Sequence, residues 1–541
     1  MRETTTLNSA DLRCSRGRRR EVEYCLEHFE LSEGARAGSR SPQMVETAGR
    51  RSRRIRLALN ELGPVFITFG IYLSSRNDLL PALDCAELAS LSNHAKPMPI
   101  AEVRDLIDSE LRRTFEQVFL YFDPEPSESH VMTQSHAALL PDGSTVTVRL
   151  LRPHFRAHFE EELGLLPMLR EAFSCPDWPE MNLEKEIAAF ANSIRLQTDF
   201  IRQAEVLEAL ALDAKDFESL RVSDVHREVC ASAVLTTGRS VGSKLVDVLA
   251  HGEPSQATAG YEVARQLCLV WLRQVLLGRA FPVEPRAENV LIFPNNQVAF
   301  PCGPFCTPTL EARKGLGEYL NAILAEDPDQ ACFALLKQVT PEARKTRTEA
   351  LRSSFRQAVA FRCDEWQSVD RTHGLAQQLL MHWRLMREHG YQLPDHLIAF
   401  FRGLFLMTEC CHQVTSVRDP LREAAEEVRV MAIVDQFRDI PSLEHWNGEL
   451  SHYTALMMEM PKRLDEMLTL MADGSPRLHL KIEEQPGPRR RLKAGTTMVI
   501  LCILLTAISF FNFQQSGAPG PERVIVLAFL LMCMSVLWCL Q

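Results

Sequence analysis

Reactive residue types are most concentrated in FPVEPRAENVLIF, residues 281–293. Glu284 supplies a carboxylate. Asn289 follows five positions later with an amide, and the apolar run Val290 to Phe293 comes next. Phosphotransferase loops space a proton-accepting acid and a metal-holding Asn in this way. The His that usually precedes the acid is replaced by Pro282, so the loop has the spacing of a catalytic loop with part of its chemistry removed.

Such a loop needs a scaffold. VMTQSHAALLPDGSTVTVRLLRP reads as two strands joined at Pro141-Asp142-Gly143, and ASAVLTTGRSVG as a third strand leading into a hinge. The flanking segments are helical. IAEVRDLIDSELRRTFEQVFLYF is amphipathic, a Gly63-Pro64 break divides an earlier helical stretch, and residues 255–470 are nearly all helix. A small β-containing lobe followed by a larger helical one predicts an α+β, mostly helical, two-lobe fold of the protein-kinase kind. The apolar segment HLIAFFRGLFLMTECCH, residues 396–412, predicts either core packing or a lipid-contacting helix.

The 60 basic and 70 acidic residues leave a net acidic chain, which excludes bulk nucleic-acid binding. Basic charge is local: thirteen Arg against eight acids in residues 1–56, clustered at 16–20 and 50–54. This predicts a flexible, solvated tail over 1–50, or contact with anionic head groups. Fifteen Cys are scattered without zinc spacing, Cys302 and Cys306 included, which predicts reduced thiols and no metal site. Near the end, Ala494 to Phe513 and Val524 to Leu540 are uncharged apolar runs. At ~1.5 Å per residue each spans roughly one hydrocarbon core, predicting a transmembrane hairpin. Arg489-Arg490-Arg491 and Lys493 before the first run predict that the bulk of the chain is cytoplasmic, and the expected location is a bacterial-type inner (cytoplasmic) membrane.

RLALNELGPVFITFGIYLSSRNDLLP, residues 56–81, resembles the signature segment of the UbiB family, atypical kinase-like proteins of ubiquinone biosynthesis, L-G-P-x-[FW]-I-K-x-G-Q-x-[LM]-S-[ST]-R-x-D. The order of elements agrees over residues 50–540. The resemblance implies a kinase-like fold with an N-terminal helical extension over a nucleotide cleft. It implies the divisions 1–50 tail, 51–125 extension, 126–235 N-lobe, 236–475 helical C-lobe, 476–493 linker and 494–540 membrane helices.

Taken position by position, the resemblance implies a degenerate site. The signature K-x-G-Q becomes Thr68-Phe69-Gly70-Ile71, and the Ala-rich nucleotide loop becomes residues 127–134, with Glu128 and Met132 where small residues belong. The strand Lys becomes Arg149, followed by a retained Arg152-Pro153, and E-x-D becomes Gln197-Thr198-Asp199. His136 keeps a family position and reads as a structural strand histidine. The hinge is Leu235-Thr236. Glu284 stands at the catalytic-acid position, Arg286 and Glu288 replace His and Gly, and the metal-binding D-[FC]-G becomes Pro301-Cys302-Gly303. Arg149, Asp199 and Asn289 are thus expected as remnants of a nucleotide pocket, with no catalytic residue, cofactor or metal. The expected function is that of a membrane-anchored pseudokinase binding a membrane lipid or quinone intermediate, or enzymes of such a pathway. The alternative is a divergent ATPase or small-molecule or lipid kinase of the family, for which ATP and magnesium would be the cofactors.

Overall fold

The computed structural model describes residues 9–32, 48–176, 178–251, 257–301, 303–339, 348–365, 374–414 and 419–438. The predicted linker and both apolar runs of the hairpin lie outside them. Among the described residues no helix is long and apolar enough to cross a membrane.

An N-terminal extension comes first, with α1 (Ser9–His28), α2 (Ala48–Leu62), α3 (Pro64–Leu73), α4 (Ala82–Ala89), α5 (Ile100–Leu111) and the single turn α6 (Phe115–Val118). Gly63 separates α2 from α3 in a left-handed backbone conformation, φ 98°, and Pro64 opens α3, where a missing N–H costs nothing. The segment expected as a flexible tail is a 20-residue helix through its middle. Val22, Cys25 and Leu26 of α1 join the main core. Several of the arginines expected to be solvated are structural. Arg18 pairs with Glu162 at 2.9 Å and also bonds the Leu62 carbonyl. Arg51 is buried and donates to the Ala172 carbonyl at 2.8 Å, and Arg54 donates to that of Phe29 at 3.2 Å. A guanidinium beside exposed C-terminal carbonyls offers several donors at once, which explains why these arginines face inward.

A five-stranded antiparallel sheet follows, in the order β1 (Tyr121–Phe122), β3 (Thr133–Leu139), β4 (Thr145–Leu151), β5 (Val234–Gly238), with β2 (Glu128–Ser129) also pairing β3. The β3–β4 turn falls where the sequence predicts it. Gly143 adopts φ 87°, and Asp142 accepts from Ser144 N at 2.9 Å. Val146, Val148 and Leu150 alternate onto the buried face of β4. Between β4 and β5 lie α7 (Pro153–Leu163), α8 (Leu183–Thr198) and α9 (Phe200–Lys215).

The second lobe contains β6 (Ser243–Lys244), α10 (Leu245–His251), α11 (Ala257–Leu276), β7 (Phe281–Pro282), β8 (Leu291–Ile292), β9 (Val298–Ala299) and β10 (Phe305–Cys306). Helices α12 (Leu310–Leu324), α13 (Pro328–Gln338), α14 (Thr348–Glu365), α15 (Gly374–Glu388), α16 (Asp395–Val414) and α17 (Pro420–Arg438) complete it. The apolar segment 396–412 is α16, and it is core. Phe400 stacks on Trp271 of α11 at 5.7 Å, and Phe401 stacks on Trp383 of α15 at 5.4 Å. Leu397, Leu404, Met407 and Cys410 are also buried, so the lipid-contacting reading of this helix does not hold.

Candidate functional site

The loop of residues 281–293 is held in shape from behind. β7 pairs with β10, and Val283 N donates to the Pro304 carbonyl at 2.8 Å. Trp271 Nε1 donates to the Pro282 carbonyl at 3.0 Å, and Cys410 Sγ donates to that of Pro285 at 3.1 Å. Asn289 N donates to the Arg286 carbonyl at 2.8 Å, and β8 follows. The catalytic-loop geometry is therefore built by ordinary backbone and core contacts.

Glu284 and Asn289 line a cavity of about 130 Å³ together with Arg149, Glu128, Gln197, Thr68 and Ile71. Seven positions expected at a nucleotide cleft thus converge. Asp199 stands apart: its carboxylate caps α9, accepting from Arg202 N at 3.1 Å, and it lines a separate surface groove. Pro301 is not on the cavity wall, although Gly303 and Pro304 just beyond it are. His136 is fully buried in β3, with Nδ1 at 2.8 Å from the Asp123 carbonyl and Nε2 at 2.8 Å from Gln134 Nε2. Burial lowers its pKa, which favours a neutral, structural imidazole.

Glu284 is not a free base. Arg402 of α16 forms an ion pair with its Oε1, and Arg286 Nε lies 4.0 Å from Oε2. Both ends of this cluster also grip the extension. Arg286 Nη2 donates to the Ile71 carbonyl at 3.1 Å and to Ser74 Oγ at 3.0 Å, while Arg402 Nε donates to Ser75 Oγ at 2.8 Å. The Arg402 guanidinium also lies 4.5 Å from the Tyr72 ring centroid.

Thr68, at the signature Lys position, turns its hydroxyl back into α3, donating to the carbonyls of Pro64 at 2.6 Å and Val65 at 3.1 Å. Ile71 packs against the main core. Gly70 survives for a packing reason: a Cβ there would collide with Leu59 of α2 and with Leu91. The retained Ser74-Ser75-Arg76-Asn77-Asp78 is a structural hub. Arg76 is buried, reaching Asp78 at 2.8 Å, the Tyr72 hydroxyl at 3.0 Å and Glu186 of α8. Arg387 of α15 contacts Asp78 at 3.2 Å, so one cluster ties the extension to both lobes.

On the opposite wall, the nucleotide-loop segment is a tight hairpin, with Glu128 opposite Ser135 and Ser129 opposite Gln134. Two backbone donors at its turn are already engaged. His130 N bonds the Thr133 carbonyl at 2.8 Å, and Val131 N bonds that of Asn93, in the extension, at 2.9 Å. Arg152 clamps the same turn, donating to the His130 carbonyl and to Ser129 Oγ, each at 2.7 Å. The Glu128 carboxylate forms an ion pair with Lys244 of β6 and lies 3.9 Å from Arg149 Nη2 and 3.8 Å from His130 Nε2. Burial alone would raise its pKa. Hydrogen bonds from His130 and Lys244, with the charges of Arg149 and Lys244, outweigh that and hold it at about 2.

Magnesium-ATP does not fit these residues. A phosphate cradle needs free backbone N–H groups, and here those of His130 and Val131 are already paired, while Glu128 places an anion where phosphate charge would lie. Pro301 has no side-chain ligand to offer a metal beside Asn289. Among the described residues no group of three His, Cys, Asp or Glu is arranged to hold a metal.

Lys244, His130, Arg402 and Arg76 escape the sequence reading. Arg76 stood in the signature without an assigned role, and Arg402 left a signal of its own. It is the one charged residue between Ile398 and Thr408 of α16, and a single charge in an apolar helix implies a buried partner. Lys244 sits in an ordinary polar stretch and acquires its meaning from a partner 116 positions away.

Residues 90–334 match the ABC1 atypical kinase-like domain. Curated relatives include a Probable protein kinase UbiB of Marinobacter nauticus, 27% identical over 56% of this chain and 56% of that protein. Another of that name, from Pseudomonas putida, is 28% identical over 51% of this chain and 52% of its own. An uncharacterized protein in the hydrogenase 1 5′ region of Clostridium pasteurianum is 24% identical, covering 65% of this chain and 66% of its own. The chain spans about half the length of the UbiB relatives it matches. Among solved structures, a Mycobacterium tuberculosis protein in complex with erythromycin aligns at TM-score 0.42 and 18% identity, covering 65% of this chain and 86% of that one.

Proposed function

Because this chain belongs to the UbiB family of ABC1 atypical kinase-like proteins, we propose that it acts as a pseudokinase, binding and positioning partners without transferring phosphate. One observation carries the reading: Glu284, at the catalytic-acid position, is held in a partly buried ion pair with Arg402. A general base must present its carboxylate to the substrate hydroxyl, and Glu284 turns one oxygen to Arg402 instead. The partner of Arg402 on its other side is the extension, so releasing Glu284 would also disturb the contact that closes the cleft.

In this reading the fold serves as a scaffold at a bacterial cytoplasmic membrane, anchored by residues 494–513 and 524–540. Its ligands are a membrane lipid or quinone intermediate, or an enzyme acting on one, in ubiquinone or isoprenoid lipid metabolism. Truncation after Pro488 is expected to move the protein to the soluble fraction. Retention at the membrane would overturn the anchoring role of the two runs.

Turnover is the decisive test. Purified full-length protein is expected to show magnesium-dependent ATP hydrolysis no greater than a Glu284→Ala, Asn289→Ala variant. A reproducible rate abolished by those substitutions would establish instead a divergent ATPase or lipid kinase. Arg149, Glu284 and Asn289, which line one cavity, would then be its working residues.

A further inference from the structure

The Glu128 cluster bridges two sheets. Glu128 lies on the hairpin of the five-stranded sheet, and Lys244 lies on β6, which pairs with β8 directly after the Asn289 loop. Their ion pair therefore crosses the cleft. An imidazole and a guanidinium converge on the same carboxylate from its own sheet. A structural ion pair needs one cation. Two fixed cations and an imidazole around one oxygen pair form the donor set that recognises a phosphate or diphosphate. Three of these groups, Glu128, His130 and Arg149, face the cavity, so an anion arriving there meets the same donors.

We propose that Glu128 is a built-in competitor for a phosphate-bearing ligand: His130, Arg149 and Lys244 form an anion site that takes a diphosphate group without a divalent metal when Glu128 is displaced. The proposal deepens, and rests on, the non-catalytic binding reading of this cleft. In a catalytic kinase a metal ion neutralises the phosphates; here side-chain cations supply that charge, and the position of Pro301 offers no metal ligand. Binding at the site exchanges one anion for another and breaks the bridge between the sheets. Occupancy thus couples to opening of the cleft, because the ligand gains its contacts only in the state where Glu128 has left.

The test uses the full-length chain, with EDTA present throughout, and pyrophosphate as probe. Glu128→Gln keeps the side-chain shape and removes the competing charge. It is expected to bind pyrophosphate about tenfold more tightly than the unmodified protein by titration calorimetry. Adding Lys244→Ala is expected to reverse the gain. ADP and dimethylallyl diphosphate, titrated in parallel, identify a nucleotide or a prenyl source for the diphosphate. A folded Glu128→Gln protein with no gain, or a gain unaffected by Lys244→Ala, overturns the proposal. A second measurement avoids substitution altogether: zero-length carbodiimide coupling of Glu128 to Lys244 in the unmodified protein, read by peptide mass. Saturating pyrophosphate is expected to suppress this amide, and an unchanged yield also overturns the proposal. Since both assays exclude metal and turnover, failure of the anion site leaves the non-catalytic reading standing. ATP hydrolysis by the protein, read in a separate assay, would overturn the non-catalytic reading and the metal-free site that rests on it.

Discussion

At the residue scale, two carboxylates were repurposed by their neighbours. Glu128 has its pKa lowered from 4.5 to about 2, so its contribution to stability is fully present above the unfolded value and is lost as pH falls through the folded one. The stability gap between the unmodified protein and Glu128→Gln, read from urea midpoints, should stay constant from neutral pH down to the ordinary carboxylate range. It should still be largely present a unit below that range. A gap that halves near the ordinary value would mean that the cations do not hold the carboxylate. Glu284 makes a different claim. Arg402→Ala leaves a partly buried carboxylate without its main partner, a loss at the low end of the ~3–5 kcal/mol of a fully buried pair. Combining Arg402→Met with Glu284→Gln should recover most of it, because no charge is then stranded. A loss under about 1 kcal/mol for Arg402→Ala would show that the pair does not secure the loop.

At the scale of elements, α3 is the part whose placement decides the cleft. Its close approach to α2 and to Leu91 depends on Gly70, one of the two glycines kept from the signature. Gly70→Ala adds a methyl group where there is no room, and should destabilise the protein by about 1–3 kcal/mol through displacement of α3. Amide exchange should show the loss concentrated in residues 64–73 and in the contacts of Arg286 with Ile71 and Ser74. Uniform loss of protection across both lobes would mean instead that α3 is not a separable closing element. The hub at Arg76 argues for locality, since it anchors the C-terminal end of the segment independently, to Asp78 and Glu186.

For the whole molecule, the cleft is closed from three sides by the extension, the Glu128 hairpin and the Arg402 helix. Magnesium-ATP should therefore give no thermal stabilisation of the unmodified protein. Pro301→Asp with Arg149→Lys should not suffice, because Glu128 still opposes phosphate. Adding Glu128→Ala and Met132→Ala removes the charge and the bulk. Nucleotide binding by that quadruple variant at 100 Kd would raise stability by about 2.7 kcal/mol. Stabilisation of the unmodified protein by the same amount would show that the hairpin is no barrier. No shift in a folded quadruple variant would assign the block to α3, and to the Val131–Asn93 bond that already consumes a loop donor.

By itself the sequence determined the kinase-like order of lobes, the β3–β4 turn and the Gly63-Pro64 break. These are local matters: periodicity, turn chemistry and side-chain type are all readable within a few positions. It misplaced the basic N-terminal segment, because a run of arginines looks the same whether its donors meet solvent or the carbonyls of Leu62 and Ala172. It grouped Asp199 with the cleft, whereas the start of α9 uses that carboxylate as a cap. Only the tertiary structure decided that Glu284 faces Arg402 and that Glu128 faces Lys244. Those pairs join residues more than a hundred positions apart, and an ion pair depends on a few ångströms of separation that no local pattern encodes.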